Sequence, residues 1–132
     1  VLAGMPLPLG EVLVPGGGIT MASCEQYHIV VHGKGGHGSM PENCIDPITA
    51  AAHIHIALQE INARELSQND FGVLTTGRFA AGAASNVIPD TAEMWGTIRT
   101  TDPDHKTGAF IRQRTTEISE GVAKAFRCTA EV

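Results

Sequence analysis

Twice in this chain a β-rich segment gives way to an aspartate-proline pair that opens a stretch of helical spacing, at Asp46-Pro47 and again at Asp102-Pro103. An aspartate carboxylate accepts a hydrogen bond from an amide of the first helical turn, and proline there costs nothing because its amide would have been unpaired. From the first pair, Ile48, Ala51, Ile54, His55, Leu58 and Ile61 fall on one side of a helix reaching Arg64 or Leu66, with His53, Glu60 and Arg64 opposite. From the second, Ile111, Thr115, Ile118, Val122 and Ala125 keep helical spacing to an end near Phe126. Between and around these helices lie strands. Cys24 to His32 alternates, with Tyr27, Ile29 and Val31 on one face and Gln26, His28, Val30 and His32 on the other. Phe71 to Ala80 and Thr91 to Thr101 form an antiparallel pair, joined through the small-residue segment Ala81 to Asn86 and a Pro89-Asp90 turn. Thr129 to Val132 starts a fourth strand. The order β-α-β-β-α-β predicts an α+β, ferredoxin-like sandwich, a four-stranded antiparallel sheet with two helices on one face.

A length of 132 residues with 42% hydrophobic and 17% charged residues suits one compact domain. Nine basic against 14 acidic side chains leave a net charge of −5, which argues against nucleic acid or an anionic membrane as partner. An aromatic content of 5% is too thin for a base-stacking platform. No apolar run approaches the roughly 18 residues a membrane helix needs. The apolar start Val1 to Pro8 is broken by Gly4, Pro6 and Pro8 and has no basic leader, so neither a span nor a signal peptide is expected. Cys24, Cys44 and Cys128 lie far apart without a C-x-x-C pair, which points to reduced thiols in a cytoplasmic protein.

The segment 33–45 invites readings that its own residues defeat. Gly33-x-Gly35-x-x-Gly38 follows a strand, but a dinucleotide site needs a helix starting at the third glycine, and Met40-Pro41 stands in the way. No G-K-[S/T] occurs for a phosphate loop. His28 and His32 share a strand face but sit about 13 Å apart, too far for one metal. His53 and His55 diverge around their helix. With no H-E-x-x-H, no C-x-x-C and no G-x-S-x-G, neither a complete metal site nor a serine hydrolase is expected. Ser39, two residues from His37, is a poor nucleophile for it. What is left is flexible backbone carrying one imidazole, His37, without partners.

The partners come from a resemblance. Met21-Ala22-Ser23, Gly33-Lys-Gly-Gly-His37-Gly-Ser-Met-Pro41, Asp46-Pro47-Ile48, Leu58-Gln59 with Arg64-Glu65, Gly82-x-x-x-Asn86-Val-Ile-Pro-Asp90 and Gly96-Thr-Ile-Arg99-Thr occur in order across Leu2 to Val132. Together they resemble the zinc-dependent aminoacylase/carboxypeptidase metallopeptidase family, in the branch of hippurate hydrolase, N-acyl-amino-acid amidohydrolases and indoleacetyl-amino-acid hydrolases. The resemblance implies a lid and dimerisation domain at 24–132, its last strand truncated, and a connector from the catalytic domain at 1–23.

Further implications attach to single residues. His37 matches a lid histidine that reaches the partner subunit and stabilises the oxyanion as water attacks an amide, a role in which a pre-aimed donor is effective. Asn86 matches the lid asparagine, and Arg99 an arginine that grips the substrate carboxylate, which a guanidinium fork suits. The complete enzyme would hold two divalent ions, zinc or manganese, on residues with no counterpart in this chain. The implied partners are a second copy of the chain, paired through the first helix or the second strand, the catalytic domain of the same polypeptide, and a small N-acyl amino acid or peptide. Alone, the chain is expected to be inert. The rival expectation is a free-standing ferredoxin-like module, either a ligand binder with Gly33 to Pro41 as its anion loop or a pure dimerisation scaffold.

Overall fold

The computed structural model describes residues 8–12, 16, 19 and 21–132, so most of the expected connector at 1–23 lies outside the described residues. In chain order the elements are β1 (Glu25–His32), β2 (Gly36–His37), a 3₁₀ turn (Pro41–Asn43), α1 (Pro47–Glu60) running into a π turn (Ile61–Glu65), β3 (Gly72–Ala81), β4 (Val87–Ile88), β5 (Thr91–Thr100), α2 (Lys106–Ala125) and β6 (Thr129–Glu131). The main sheet has the order β3-β5-β1-β6, antiparallel throughout. That is the expected α+β sandwich. The short strands β2 and β4 form a second, two-stranded sheet that the periodicity does not announce.

Alternation in β1 sends Tyr27, Ile29 and Val31 into one core with Ala92, Met94 and Ile98 of β5, Ala50, Ala51, Ile54 and Leu58 of α1, and Ile111 and Ala123 of α2. Gly96 interrupts the buried side of β5 for a steric reason. It pairs with Tyr27, and a Cβ there would lie 2.4 Å from the tyrosine ring and 2.0 Å from the Thr75 carbonyl oxygen. The ring takes the room that the glycine leaves, and its hydroxyl meets Thr76 Oγ1 at 2.7 Å.

The two aspartate-proline pairs fold differently. Asp46 caps α1 as expected, accepting from the Ile48 amide at 2.8 Å and the Thr49 hydroxyl at 2.6 Å. Pro47 then takes the inward position against Gly33, which turns Ile48 outward and corrects its place in the expected core stripe. At the second pair, Asp102 to His105 forms a turn, His105 is left-handed with φ 56°, and the helix starts only at Lys106. Asp102 still serves it from a distance, accepting from the Thr107 amide at 2.9 Å. The stripe α2 buries is Thr107, Gly108, Ile111, Thr115, Ser119 and Ala123, while Ile118 and Val122 are half-buried and Ala125 is exposed. Thr115 and Ser119 tolerate burial because their hydroxyls donate to the carbonyls of Ile111 and Thr115, at 2.7 and 2.6 Å.

The π turn closes α1 and ties it to α2. Arg114 grips Glu65 with two bonds, Nε to Oε2 at 2.6 Å and Nη2 to Oε1 at 2.8 Å. The guanidinium holds the Glu65 carboxyl below the usual carboxylate range.

Candidate functional site

Residues 33–45 are not free backbone. The Gly33 amide donates to the Asp90 carbonyl at 2.8 Å, and the Gly35 amide to the Asp90 carboxylate at 2.8 Å. Lys34 and Ile45 exchange amide bonds at 2.8 and 2.9 Å, Gly36 and His37 pair with Ile88 and Val87, and the Gly38 amide reaches the Asn86 carbonyl at 2.9 Å. The glycines are there for close approach. A Cβ at Gly33 would sit 2.3 Å from the Ile45 oxygen, at Gly35 2.7 Å from the Ile88 oxygen, and at Gly36 2.6 Å from Cys44 Sγ. This overturns the reading of the segment as flexible. The amides of Gly33, Lys34, Gly35, Gly38, Ser39 and Met40 are bonded within the chain, which weakens the case for an anion loop.

The ribbon brings two of the three expected site residues together. His37 sits on β2, and Asn86 immediately precedes β4, joined to it through the Gly38–Asn86 hydrogen bond; both are exposed. His37 is position one of a turn closed by the Met40 amide on the His37 carbonyl at 2.9 Å. Its Nδ1 accepts from the Ser39 amide at 3.1 Å and lies 2.8 Å from Ser39 Oγ. Arg99 stands elsewhere. It is near the far end of β5, half-buried, with Nη1 3.4 Å from the Ser23 carbonyl oxygen. From Thr91, beside the ribbon, to Arg99 the strand covers about 26 Å.

Asp90 is the residue that sequence reasoning passed over. Its carbonyl and carboxylate anchor Gly33 and Gly35, so it fixes where His37 is presented. Its place after Asn-Val-Ile-Pro was visible in the sequence, but a turn aspartate gives no sign of which amides it will meet. Cys44 is likewise buried directly beneath Gly36.

Three of the other histidines are engaged singly, with no shared partner. His28 stacks on Trp95 with ring centroids 4.6 Å apart and bonds Glu93 at 2.9 Å, and Arg78 covers Trp95 at 4.1 Å. His53 stacks on Phe126 at 4.7 Å, and His55 Nδ1 lies 3.2 Å from Thr76 Oγ1. Among the described residues no three His, Cys, Asp or Glu side chains converge as metal ligands.

The described residues build a small α+β sandwich with an appended ribbon and a long edge strand. The chain belongs to the family of peptidase dimerisation domains, whose profile matches residues 25–126. It is 40% identical over 125 residues to N-acetylcysteine deacetylase of Bacillus subtilis (strain 168), covering 95% of this chain and 32% of that protein. It is also 40% identical over 108 residues to the hippurate hydrolase of Campylobacter jejuni, covering 82% of this chain and 28% of the relative. A solved Bacillus subtilis dinuclear metal-binding peptidase of the M20 family matches with a TM-score of 0.65 at 32% identity, over 89% of this chain and 26% of that one. The chain thus spans 26–32% of the length of these hydrolases. The residues described here do not fit a dinuclear metal pair of their own.

Proposed function

We propose that this chain is the lid and dimerisation domain of a metal-dependent amidohydrolase acting on N-acyl amino acids or similar amides, and that its His37 works in the partner subunit's site. The observation carrying this reading is the ribbon, which pins His37 at an exposed tip beside Asn86 by main-chain bonds. An N-acyl amino acid is comparable to a dipeptide and spans about 7 Å, whereas His37 and Arg99 lie at opposite ends of β5. One copy cannot offer both residues to one substrate. A site using an oxyanion donor at one end and a carboxylate grip at the other therefore takes His37 and Asn86 from one protomer and Arg99 from its partner.

The surface for that pairing is β3 with α1. β3 forms one edge of the sheet and is ten residues long, against three for β6 at the other edge. Within it Phe79 is 42% exposed, and on α1 Ile56 is 67% exposed. A long open edge with apolar neighbours invites aggregation unless it is paired, and two-fold pairing of β3 with its copy satisfies its free amides and carbonyls.

In catalysis, water adds to the amide carbonyl and charge develops on its oxygen. His37 donates to that oxygen, Asn86 lines the same tip, and Arg99 holds the free carboxylate of the amino acid. The catalytic domain supplies the metal ions and the base. His37→Ala in the complete enzyme should lower turnover about 10²- to 10³-fold with dimer and metal content intact; unchanged turnover removes the oxyanion role. Mixed dimers settle the crossing. A His37→Ala subunit paired with one whose catalytic domain is disabled regains one working site if the histidine acts in trans, and stays inactive if it acts in cis.

A further inference from the structure

We propose that Ser39 is a positioning residue for His37, fixing the neutral imidazole as the tautomer that carries its proton on Nε2. The inference rests on the donor role proposed for His37. A backbone N–H can only donate, so the bond from the Ser39 amide at 3.1 Å identifies Nδ1 as the ring nitrogen with the lone pair. Since Nδ1 then has no proton to give, the Ser39 hydroxyl at 2.8 Å donates to it as well. Two donors converge on one ring nitrogen, and the single N–H of the neutral ring is left on the other.

The surrounding turn makes this arrangement durable. Closure by the Met40 amide on the His37 carbonyl at 2.9 Å sets the Ser39 amide facing the ring. It is an imidazole counterpart of the turn in which an Asn or Asp side chain accepts from the amide two residues on. The turn has little freedom to roll, because the Gly38 amide is tied to the Asn86 carbonyl at 2.9 Å. Among the described residues nothing bonds Nε2, which points away from Ser39. An oxyanion meets a donor there; with the opposite tautomer it would meet a lone pair and be repelled.

Kinetics of the complete enzyme and nitrogen-15 spectra of His37 in this chain test the idea together. Ser39→Ala should reduce kcat about 3- to 10-fold, the scale of one neutral hydrogen bond, with KM unchanged, and Ser39→Thr should restore it. Combined with His37→Ala, Ser39→Ala should have no further effect, because it acts only through the ring. The spectra should show the proton on Nε2 in the native chain and a rise of several-fold in the Nδ1–H form in Ser39→Ala. A native ring protonated on Nδ1, an unchanged kcat in Ser39→Ala, or an equal loss with and without His37 overturns the proposal. If His37→Ala itself leaves turnover unchanged, the oxyanion role fails, while the spectra still judge the hold that Ser39 has on the ring.

Discussion

Where α1 crosses the sheet, Ile29, Ile54, Leu58 and Met94 are sealed from solvent by one another, whereas none of the paired residues of β2 and β4 is buried. The sandwich is therefore stabilised by apolar area removed from water, which grows with side-chain size. The ribbon is stabilised by main-chain bonds across glycines, where any added atom intrudes. Substitutions in the first region are felt mainly as lost stability, and those in the second mainly as a displaced His37.

The strongest challenge to that division is Ile54→Ala. Ile54 is fully buried at the centre of α1, so the loss should be about 2–5 kcal/mol by urea unfolding. A loss of a few tenths would mean the core is not what holds the sandwich. Next in size, Gly36→Ala should cost about 1–3 kcal/mol by overpacking against Cys44 and expose the Gly38 amide to exchange. Adding Cys44→Ala should recover part of that loss, since it opens the space the new methyl needs. Strict additivity would show that the clash lies elsewhere.

The smallest effect concerns pH and the link between the helices. Arg114 bonds both Glu65 and Glu117. The Glu65 carboxyl is lowered first by Arg114, and that of Glu117 first by Gln113 and then by Arg114. A carboxyl lowered in the folded state adds stability above its unfolded value of about 4.3 and loses it as pH falls through the folded value. Arg114→Met should flatten the acid limb of a stability-against-pH curve below about pH 4 and leave the ribbon's exchange rates unchanged. An unaltered acid limb would remove the pair from the account.

The fold was legible because its evidence is periodic. The two faces of β1 and the Asp46 cap follow from side-chain chemistry that acts within a turn or a strand. The start of α2 was misread because Asp-Pro specifies a cap only when the next residues go straight into helix, and His105 in a left-handed conformation delays that. The ribbon was illegible for a different reason. A two-residue strand has no period, and a glycine pattern reads the same whether it serves freedom or close contact. Only the Ile45, Ile88 and Cys44 atoms that crowd those glycines decide between the two. The adjacency of His37 and Asn86 comes from that pairing and not from their spacing along the chain.

β5 is hydrogen-bonded along both sides, to β1 and to β3, over nearly its whole length. Among the described strands it alone is paired on both sides over most of its length, with Asp90 and the ribbon at one tip and Arg99 by the other. The gap between its two ends is set by a count of residues along one paired strand. In the proposed dimer, β5 then serves as a fixed gauge: substrate length is matched by how the two copies are set against each other, and a change in preferred acyl chain would call for a shift at the β3 seam while the ribbon keeps its shape.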